Sequence, residues 1–277
     1  MILALNGGGM RGALQVGALM ELSCSLLDTF KDGVYGISVG AIIATYIAFG
    51  FTPADLAEIF KEWVDVPLTP PSIAALSNAY ISTRGLDDGS VIRERMRHDF
   101  AKKGLDFDAL RIRDAHIALH IIATDVLNVQ SVTFGGSMRV WDAVRASFSL
   151  PLIFEPHEVQ GRLFVDGAIL CSDISTCIPV ADRPKTFFLL TTRSIPSESY
   201  FEVIWSGPST RASYGIQKRY PDRTCLIVDN ETPTFDMWSN TERVTATIDR
   251  GRAAMCEFIG THDSDFLGPS ADTKNCS

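Results

Sequence analysis

The chain has 277 residues, a formal net charge of −8 and 46% hydrophobic residues. This length allows a sizeable buried core, and the acidic balance argues against nucleic acid as a partner, because duplex-binding domains are usually basic. Contact with a membrane surface is not excluded, since a local basic or apolar patch is enough for attachment.

The sequence begins with a strand, a glycine-rich loop and a helix. MILALN is a short apolar run of strand type, GGGMRG interrupts it, and ALQVGALMEL repeats its apolar residues at helical spacing. A second unit follows, because VYGIS predicts a strand and VGAIIATYIAFG a helix that is apolar on all sides. Thr52, Pro53 and Asp55 predict the start of a third helix, with a capping hydroxyl, a proline in the first turn and an early acid.

The next two stretches indicate features beyond the helices and strands of the fold. Residues 65–90 are rich in Pro, Ser, Gly and Asp, which predicts a long excursion that covers a site. Residues 93–113 carry an excess of Lys and Arg. Two interpretations of this basic stretch stay open: a solvated helix face, or a contact for anionic lipid head groups.

The second half alternates strands and helices. HIALHIIATDV predicts a central buried strand, VQSVTF its neighbour, and WDAVRASFSLP a short helix. GRLFVDGAI, KTFFLLTTR and TCLIVD predict further strands, and Ser239 with Glu242 predicts the capping box of a last helix that runs to about Phe258. The alternation predicts a three-layer α/β/α fold with a mostly parallel central sheet, in a single domain of residues 1–277.

Membrane spans, metals and disulfides are not predicted. The longest nearly apolar run, residues 39–51, is shorter than the roughly 18 to 20 residues that a spanning helix needs. No signal peptide opens the sequence, so the expectation is a cytoplasmic protein with free thiols that attaches to membranes only peripherally. His116 and His120 share a strand face but lack an acidic or cysteine partner at metal spacing, so no metal site is expected.

The pentapeptide GISVG, residues 36–40, has the pattern GxSxG between a predicted strand and a predicted helix. This placement is typical of a nucleophile elbow, in which a serine stands on a tight, strained turn. Ser38 is therefore the candidate nucleophile. The alternative is an ordinary glycine-flanked turn, which five residues alone do not exclude.

The glycine run GGGMRG, residues 7–12, allows three interpretations. It satisfies the dinucleotide fingerprint GxGxxG, but that fold needs an acid at the end of the second strand, and Asp32 precedes that strand. It also suits a tight turn with close helix packing. The third interpretation is an oxyanion hole, in which glycine N–H groups face a developing alkoxide and Arg11 adds positive charge.

Two aspartates end predicted strands. Asp166, in VDGAI, enters a glycine turn and is a candidate base for a serine on a neighbouring strand end, although Asp-Gly turns are common without any catalytic role. Asp125 follows Thr124, and its side chain is expected to cap a turn rather than to take part in chemistry.

Together, GGGMRG, GISVG, RASFSLPLIFEP and VDGA resemble, in this order, the four conserved blocks of the patatin-like phospholipases, from Ile2 to about Pro179. The resemblance implies an α/β fold and a Ser–Asp dyad without a catalytic histidine or a cofactor. Ser38 would be the nucleophile and Asp166 its base. The N–H groups of Gly8, Gly9 and Met10 would form the oxyanion hole, with Arg11 holding the loop.

The implied substrates are acyl esters of phospholipids, lysophospholipids or neutral lipids at a membrane or micelle surface, cleaved through an acyl-enzyme in a hydrophobic pocket. The sequence departs from the family at Ser172 and Asp173, where an Asn is common, which puts substrate contacts in doubt. Three alternatives stay open: a Ser38–Asp166–His262 triad, an acyltransferase on the same dyad, and a catalytically silent lipid-binding module. The need for an activator is not predictable.

Overall fold

The computed structural model describes residues 1–22, 25–64, 85, 87–194, 200–234 and 240–262. In these residues eight strands form one sheet: β1 Ile2–Leu5, β2 Gly33–Ile37, β3 Leu119–Asp125, β4 Gln130–Phe134, β5 His157–Val159, β6 Arg162–Asp166, β7 Thr186–Thr192 and β8 Thr224–Val228. The α-helices are α1 Gly12–Met20, α2 Leu26–Thr29, α3 Val39–Ala48, α4 Pro53–Trp63, α5 Ser90–Lys102, α6 Val140–Ser147, α7 Tyr200–Arg219 and α8 Thr241–Thr261.

The sheet has the strand order β5-β6-β3-β2-β1-β7-β8, with β4 paired to β3 off this path. The five strands β3, β2, β1, β7 and β8 run parallel to one another, whereas β4, β5 and β6 are joined by antiparallel pairings. The five parallel strands therefore end at one edge of the sheet, called the carboxyl edge below. Crevices outside the carboxyl ends of parallel strands are the usual ligand sites of such sheets.

Strands β2 and β6 lie end to end along the same side of β3. Ile37 of β2 pairs with Ile122, and Asp166 of β6 pairs with the next residue, Ala123, while β4 occupies the other side of β3. The residue that follows β2 therefore meets the residue that ends β6. This arrangement sets the position of the candidate site.

Side chains of the central strands alternate between two cores. Leu3 and Leu5 of β1 enter the larger core, whereas Ile2 and Ala4 enter a smaller one on the opposite face. The larger core is covered by several helices, including α1, α3, α4 and α8, and the smaller core includes Ile216 of α7. Helices thus cover both faces, which confirms the predicted α/β fold.

One predicted helix start is confirmed, and the predicted end of the last helix is corrected. Thr52 forms the expected capping box with Asp55 at the start of α4. The last helix starts after Asn240, whose side chain accepts the Arg243 N–H, and it extends to Thr261. Its predicted cap Ser239 and most of the predicted 65–90 excursion lie outside the described residues. Helix α7 and strand β5 were not predicted from the sequence.

Candidate active site

Ser38 stands on a strained turn between β2 and α3. Its backbone has φ 56° and ψ −125°, a left-handed conformation that non-glycine residues rarely adopt. Both flanking glycines are needed, because a Cβ on Gly36 would lie 2.4 Å from the Gly40 carbonyl oxygen, and one on Gly40 would lie 2.5 Å from that of Leu5. The pattern GISVG therefore forms the tight strand-to-helix turn that it predicts.

Asp166 is buried at the end of β6, with 2% of its surface exposed. Its carboxylate accepts the Ala168 N–H at 2.8 Å and a hydrogen bond from the Ser38 side chain. Burial raises the pKa of Asp166 to about 6, although these two hydrogen bonds act to lower it. The structure thus brings Ser38 and Asp166 together, with the carboxyl poised to exchange a proton near neutral pH.

The glycine loop lies directly against Ser38. A Cβ on Gly7 would come within 3.0 Å of the Ser38 Cβ, and one on Gly8 within 2.9 Å of the Thr191 hydroxyl. Gly9 has φ +57° and passes so close to the Thr234 carbonyl that a Cβ would lie 2.0 Å from its oxygen. In the described part of the chain, neither the Gly8 nor the Gly9 N–H has an acceptor, so both are available to a ligand.

The prediction for Met10 is corrected by its contacts. The Met10 N–H donates to the Thr234 carbonyl oxygen at 3.1 Å, so it is already engaged and does not serve an oxyanion. The Arg11 side chain is buried and donates to the Thr234 hydroxyl at 2.7 Å. Arg11 and Met10 therefore anchor the loop to Thr234, while both residues also belong to the lining of the cavity described below.

The block RASFSLP supplies supporting residues whose roles the sequence did not reveal. The Ser147 hydroxyl accepts the Ser38 N–H at 2.9 Å and donates to the Ile122 carbonyl at 2.6 Å. The Ser149 carbonyl accepts the Asp166 N–H at 2.9 Å. Ser147 and Ser149 thus fix the backbones of both candidate catalytic residues.

Arg145 fastens this block in turn. It is buried, and its guanidinium donates to the Ser149 hydroxyl and to the carbonyl oxygens of Asp88 and Glu155, the latter two at 2.9 Å. Through these hydrogen bonds, the buried guanidinium joins the segment that precedes α5 to the segment that follows α6.

A cavity of about 270 Å³ opens beside Ser38 and Asp166. Its lining is largely apolar and includes Ile42, Phe60, Trp63, Phe148, Leu150 and Phe154. Trp141, by contrast, belongs to the larger core. The size and character of this cavity suit a hydrocarbon chain.

The structure does not bring a histidine to Ser38. His262 stacks on Phe258 with ring centroids 4.3 Å apart, and Phe258 contacts Phe187 near the start of β7. The start of β7 lies at the sheet edge opposite the carboxyl edge. The Ser38–Asp166–His262 triad is therefore not formed.

The other histidines and the acids in the described part of the chain form no metal centre. His120 stacks on Tyr35 at 4.2 Å, and burial lowers the pKa of its imidazole. Among the described residues, no group of three or more His, Cys, Asp or Glu side chains is placed to bind a metal ion. None of the helices in these residues has both the length and the apolar character of a membrane span.

Most of the side chains in the predicted basic stretch pair with acids, whereas Arg95 and Arg111 form no ion pair among the described residues. Arg93 and Arg97 pair with Asp108, and Lys102 pairs with Glu62. Arg95, on the same helix, has no carboxylate partner among the described residues and lines the cavity. Most of the stretch is thus a solvated helix face, while Arg95 is available to an anion at the cavity.

Comparison with known sequences agrees with this geometry. The profile of the patatin-like phospholipase family matches residues 3–175. This match spans more than half of the chain, and the chain belongs to the patatin-like phospholipase family.

The chain is also similar to two known proteins in sequence and to one solved structure in fold. An uncharacterised NTE family protein of Mycobacterium tuberculosis is 32% identical over 169 residues, which are 61% of this chain and 42% of that protein. A cUMP-AMP-activated phospholipase of Escherichia coli is 27% identical over 65% of this chain and 58% of its own length. The chain therefore spans about half the length of these relatives. The crystal structure of VipD from Legionella pneumophila shares the fold, with a TM-score of 0.55, 14% identity and coverage of 94% of this chain and 67% of that one.

Proposed function

We propose that this protein is a lipid acyl hydrolase that cleaves fatty-acyl ester bonds of phospholipids or related lipids. The observation that carries the proposal is the meeting of a strained Ser38 with a buried Asp166 carboxylate beside an apolar cavity. A serine nucleophile needs a base within hydrogen-bond reach, and Asp166 meets this requirement without a histidine. Family membership and the phospholipase named among the relatives support the lipid substrate.

The first half of the reaction forms the acyl-enzyme. The Ser38 oxygen attacks the ester carbonyl carbon, and its proton passes to the Asp166 carboxylate. The carbonyl oxygen becomes an alkoxide, and the N–H groups of Gly8 and Gly9 stabilise this negative charge by donating hydrogen bonds to it. When this intermediate collapses, the ester C–O bond breaks and the leaving alkoxide takes the proton from Asp166.

The second half releases the fatty acid. Water attacks the acyl-enzyme carbonyl and gives a proton to Asp166, and collapse of the new intermediate returns that proton to the Ser38 oxygen. The apolar cavity holds the acyl chain throughout. No metal or organic cofactor takes part in this sequence of steps.

The proposal is tested by fatty-acid release from mixed phospholipid vesicles. We expect activity in the wild type and in His262→Ala, and a loss of roughly a thousandfold or more in Ser38→Ala. His262→Ala is the matched control, because this residue belongs to the competing triad but lies at the far edge of the sheet. Hydrolysis that survives in Ser38→Ala, or that disappears in a folded His262→Ala, would contradict the proposed dyad.

Because of Arg95, we expect the protein to prefer lipids with anionic head groups. Arg95 lines the cavity, and a phosphate diester is a natural acceptor for the planar set of donors of a guanidinium. We expect Arg95→Gln to raise KM for phosphatidylglycerol about tenfold and to change KM for a diacylglycerol much less.

Arg97→Gln is the control for this measurement, since Arg97 lies on the same helix but pairs with Glu94 and Asp108. The comparison is made with both lipids in the same detergent micelles. Equal increases in KM for the charged and the neutral lipid would show that Arg95 has no role in recognising phosphate.

A further inference from the structure

The β3–β4 hairpin ends in an apolar tip that faces solvent. The hairpin tip, defined here as residues 126–129, exposes 42% of Val126, 64% of Leu127 and 73% of Val129. Short turns normally place Gly, Asn, Asp or Ser at such positions, because those residues tolerate water and unusual backbone angles. Three large aliphatic side chains in one exposed turn therefore need an explanation.

The hairpin tip is held rigidly from below. The fully buried Asp125 carboxylate accepts the N–H groups of Leu127 at 3.0 Å and Asn128 at 3.2 Å, and the Asn128 side-chain amide at 2.8 Å. Arg162 of the adjacent β6 forms an ion pair with the same carboxylate. Asp125 thus caps the turn, as the sequence predicts, and keeps the aliphatic side chains pointing outward in a fixed arrangement.

The backbone of Val129 is strained. Its φ is 50°, and a β-branched residue in this left-handed region is a rare outlier that Gly or Asn would relieve. The chain keeps an exposed valine where a polar residue would serve the turn better. Such strain points to a function for the side chain rather than for the fold.

The hairpin tip stands at the same edge as the candidate active site. Ser38 follows Ile37, which pairs with Ile122, so Ser38 lies at the level of Ala123. Because a strand rises about 3.3 Å per residue, the chain at Val126 has travelled on the order of 10 Å beyond Ser38 along the direction of β3. The aliphatic side chains therefore project past the candidate active site.

Other exposed aliphatic residues surround the same region. Val91 lines the cavity, Leu152 lies between the lining residues Leu150 and Phe154, and Ile169 follows the lining residue Ala168. Val203 lies one turn from the lining residue Ser206, and Val228 ends β8 at the carboxyl edge. Val180 is distant from this region, since it precedes β7 at the opposite edge of the sheet.

We propose that the hairpin tip inserts into the surface of a phospholipid bilayer and docks the carboxyl edge, with its cavity, against the membrane. The inference rests on the proposed function, because a lipid surface is the partner that a lipid hydrolase must meet. An exposed apolar cluster around the cavity of such an enzyme matches the hydrocarbon boundary of a bilayer. Docking by this edge lets an acyl chain pass from the bilayer into the cavity without crossing water.

The experiment measures binding to sucrose-loaded phosphatidylcholine vesicles by sedimentation, in a Ser38→Ala background that leaves the lipid intact. Val129→Asn is compared with Val180→Asn, since the two valines are equally exposed at 73% and receive the same substitution. A double variant, Leu127→Ser with Val129→Asn, removes most of the hairpin tip's apolar surface. Melting temperature and solution mass without lipid are measured for each protein.

We expect Val129→Asn to lower the vesicle partition coefficient about fivefold and the double variant to lower it about thirtyfold or more. The Val129→Asn melting temperature should not fall, because Asn suits the left-handed conformation, so weaker binding cannot be ascribed to unfolding. Val180→Asn should bind vesicles like its parent. A double variant that binds like the parent, or a parent that forms a dimer which Val129→Asn dissociates, overturns the proposal.

Hydrolysis of a water-soluble short-chain ester by the wild type, without vesicles, separates the two proposals. Tip-dependent vesicle binding without ester hydrolysis would contradict the proposed function and leave the docking surface standing. Ester hydrolysis together with tip-independent vesicle binding would contradict the docking surface alone.

Discussion

Asp166→Asn is expected to slow ester hydrolysis roughly a thousandfold and, at neutral pH, to make the protein more stable. The carboxylate is buried, and its pKa is raised to about 6 from an ordinary value of 3.8. Ionised at pH 7, it destabilises the native state by about 3 kcal/mol relative to a neutral group. Asparagine removes this charge, and its amide oxygen still accepts the Ala168 N–H, so a gain of roughly 1 to 3 kcal/mol is expected.

The sign of the pH dependence follows from the raised pKa. Between about pH 4 and pH 6 the native state binds more protons at Asp166 than the unfolded chain does, so wild-type stability falls as the pH rises through this window. Below about pH 4 the carboxyl is neutral in both states. The stability gain of Asp166→Asn should therefore vanish below about pH 4, grow up to about pH 6 and stay constant above it.

Catalysis should show the opposite trend over the same window. Asp166 acts as a base only when ionised, so wild-type kcat/KM should rise with pH through about 6, and Asp166→Asn should lose roughly a thousandfold. Denaturant unfolding between pH 3 and pH 8 and ester hydrolysis between pH 4 and pH 8 measure the two trends. A less stable Asp166→Asn at pH 7, or a wild-type activity that is flat across pH 6, would rule out the raised carboxyl pKa.

Gly40→Ala is expected to damage both stability and activity. Its Cβ would lie 2.5 Å from the Leu5 carbonyl oxygen and 2.6 Å from that of Asn6, and both belong to backbone that cannot move independently. Relief of this clash requires α3 to shift away from the end of β1. We expect a loss of about 3 kcal/mol in the free energy of unfolding.

The activity loss should be larger than the stability loss alone explains. A shift of about 1 Å between Ser38 and the adjacent glycine loop separates the nucleophile from its proposed oxyanion donors, which typically costs a factor of about 100 in rate. Gly135→Ala is the control, because a Cβ there meets nothing within 4 Å. If Gly40→Ala were as active and as stable as Gly135→Ala, the close packing of the turn would have no functional importance.

The sequence predicts the candidate site better than it predicts the surrounding fold. GISVG and VDGAI carry their local geometry in their own residues, because a serine on a strained turn needs glycines beside it and an Asp-Gly turn follows a strand. Their meeting depends on β2 and β6 lying end to end along β3, and no periodicity within either segment encodes that pairing. The expectation that Ser38 and Asp166 meet came instead from the resemblance, because the motifs follow the same order as the conserved blocks of a known family.

Other features could not be predicted for physical reasons. Helix α7 contains Gly207, Pro208 and Gly215, which indicate breaks in a sequence, yet its packing on β7 and β8 through residues such as Ile216 sustains it. The use of Ser147 to hold the Ser38 N–H is a tertiary hydrogen bond, as is the engagement of the Met10 N–H by Thr234. The helix and strand propensities of a local segment do not encode such tertiary contacts.

The end-to-end placement of β2 and β6 has a consequence for how the protein reaches its working state. Ser38 and Asp166 are brought in by segments far apart in the chain, and neither strand pairs with the other. Only β3 joins them, so the hydroxyl and the carboxylate meet after two long-range strand pairings have formed. Such non-local pairings are slow steps in folding. During refolding, the return of ester hydrolysis should therefore lag behind the return of helical circular dichroism, and enzymatic activity would time the completion of the sheet.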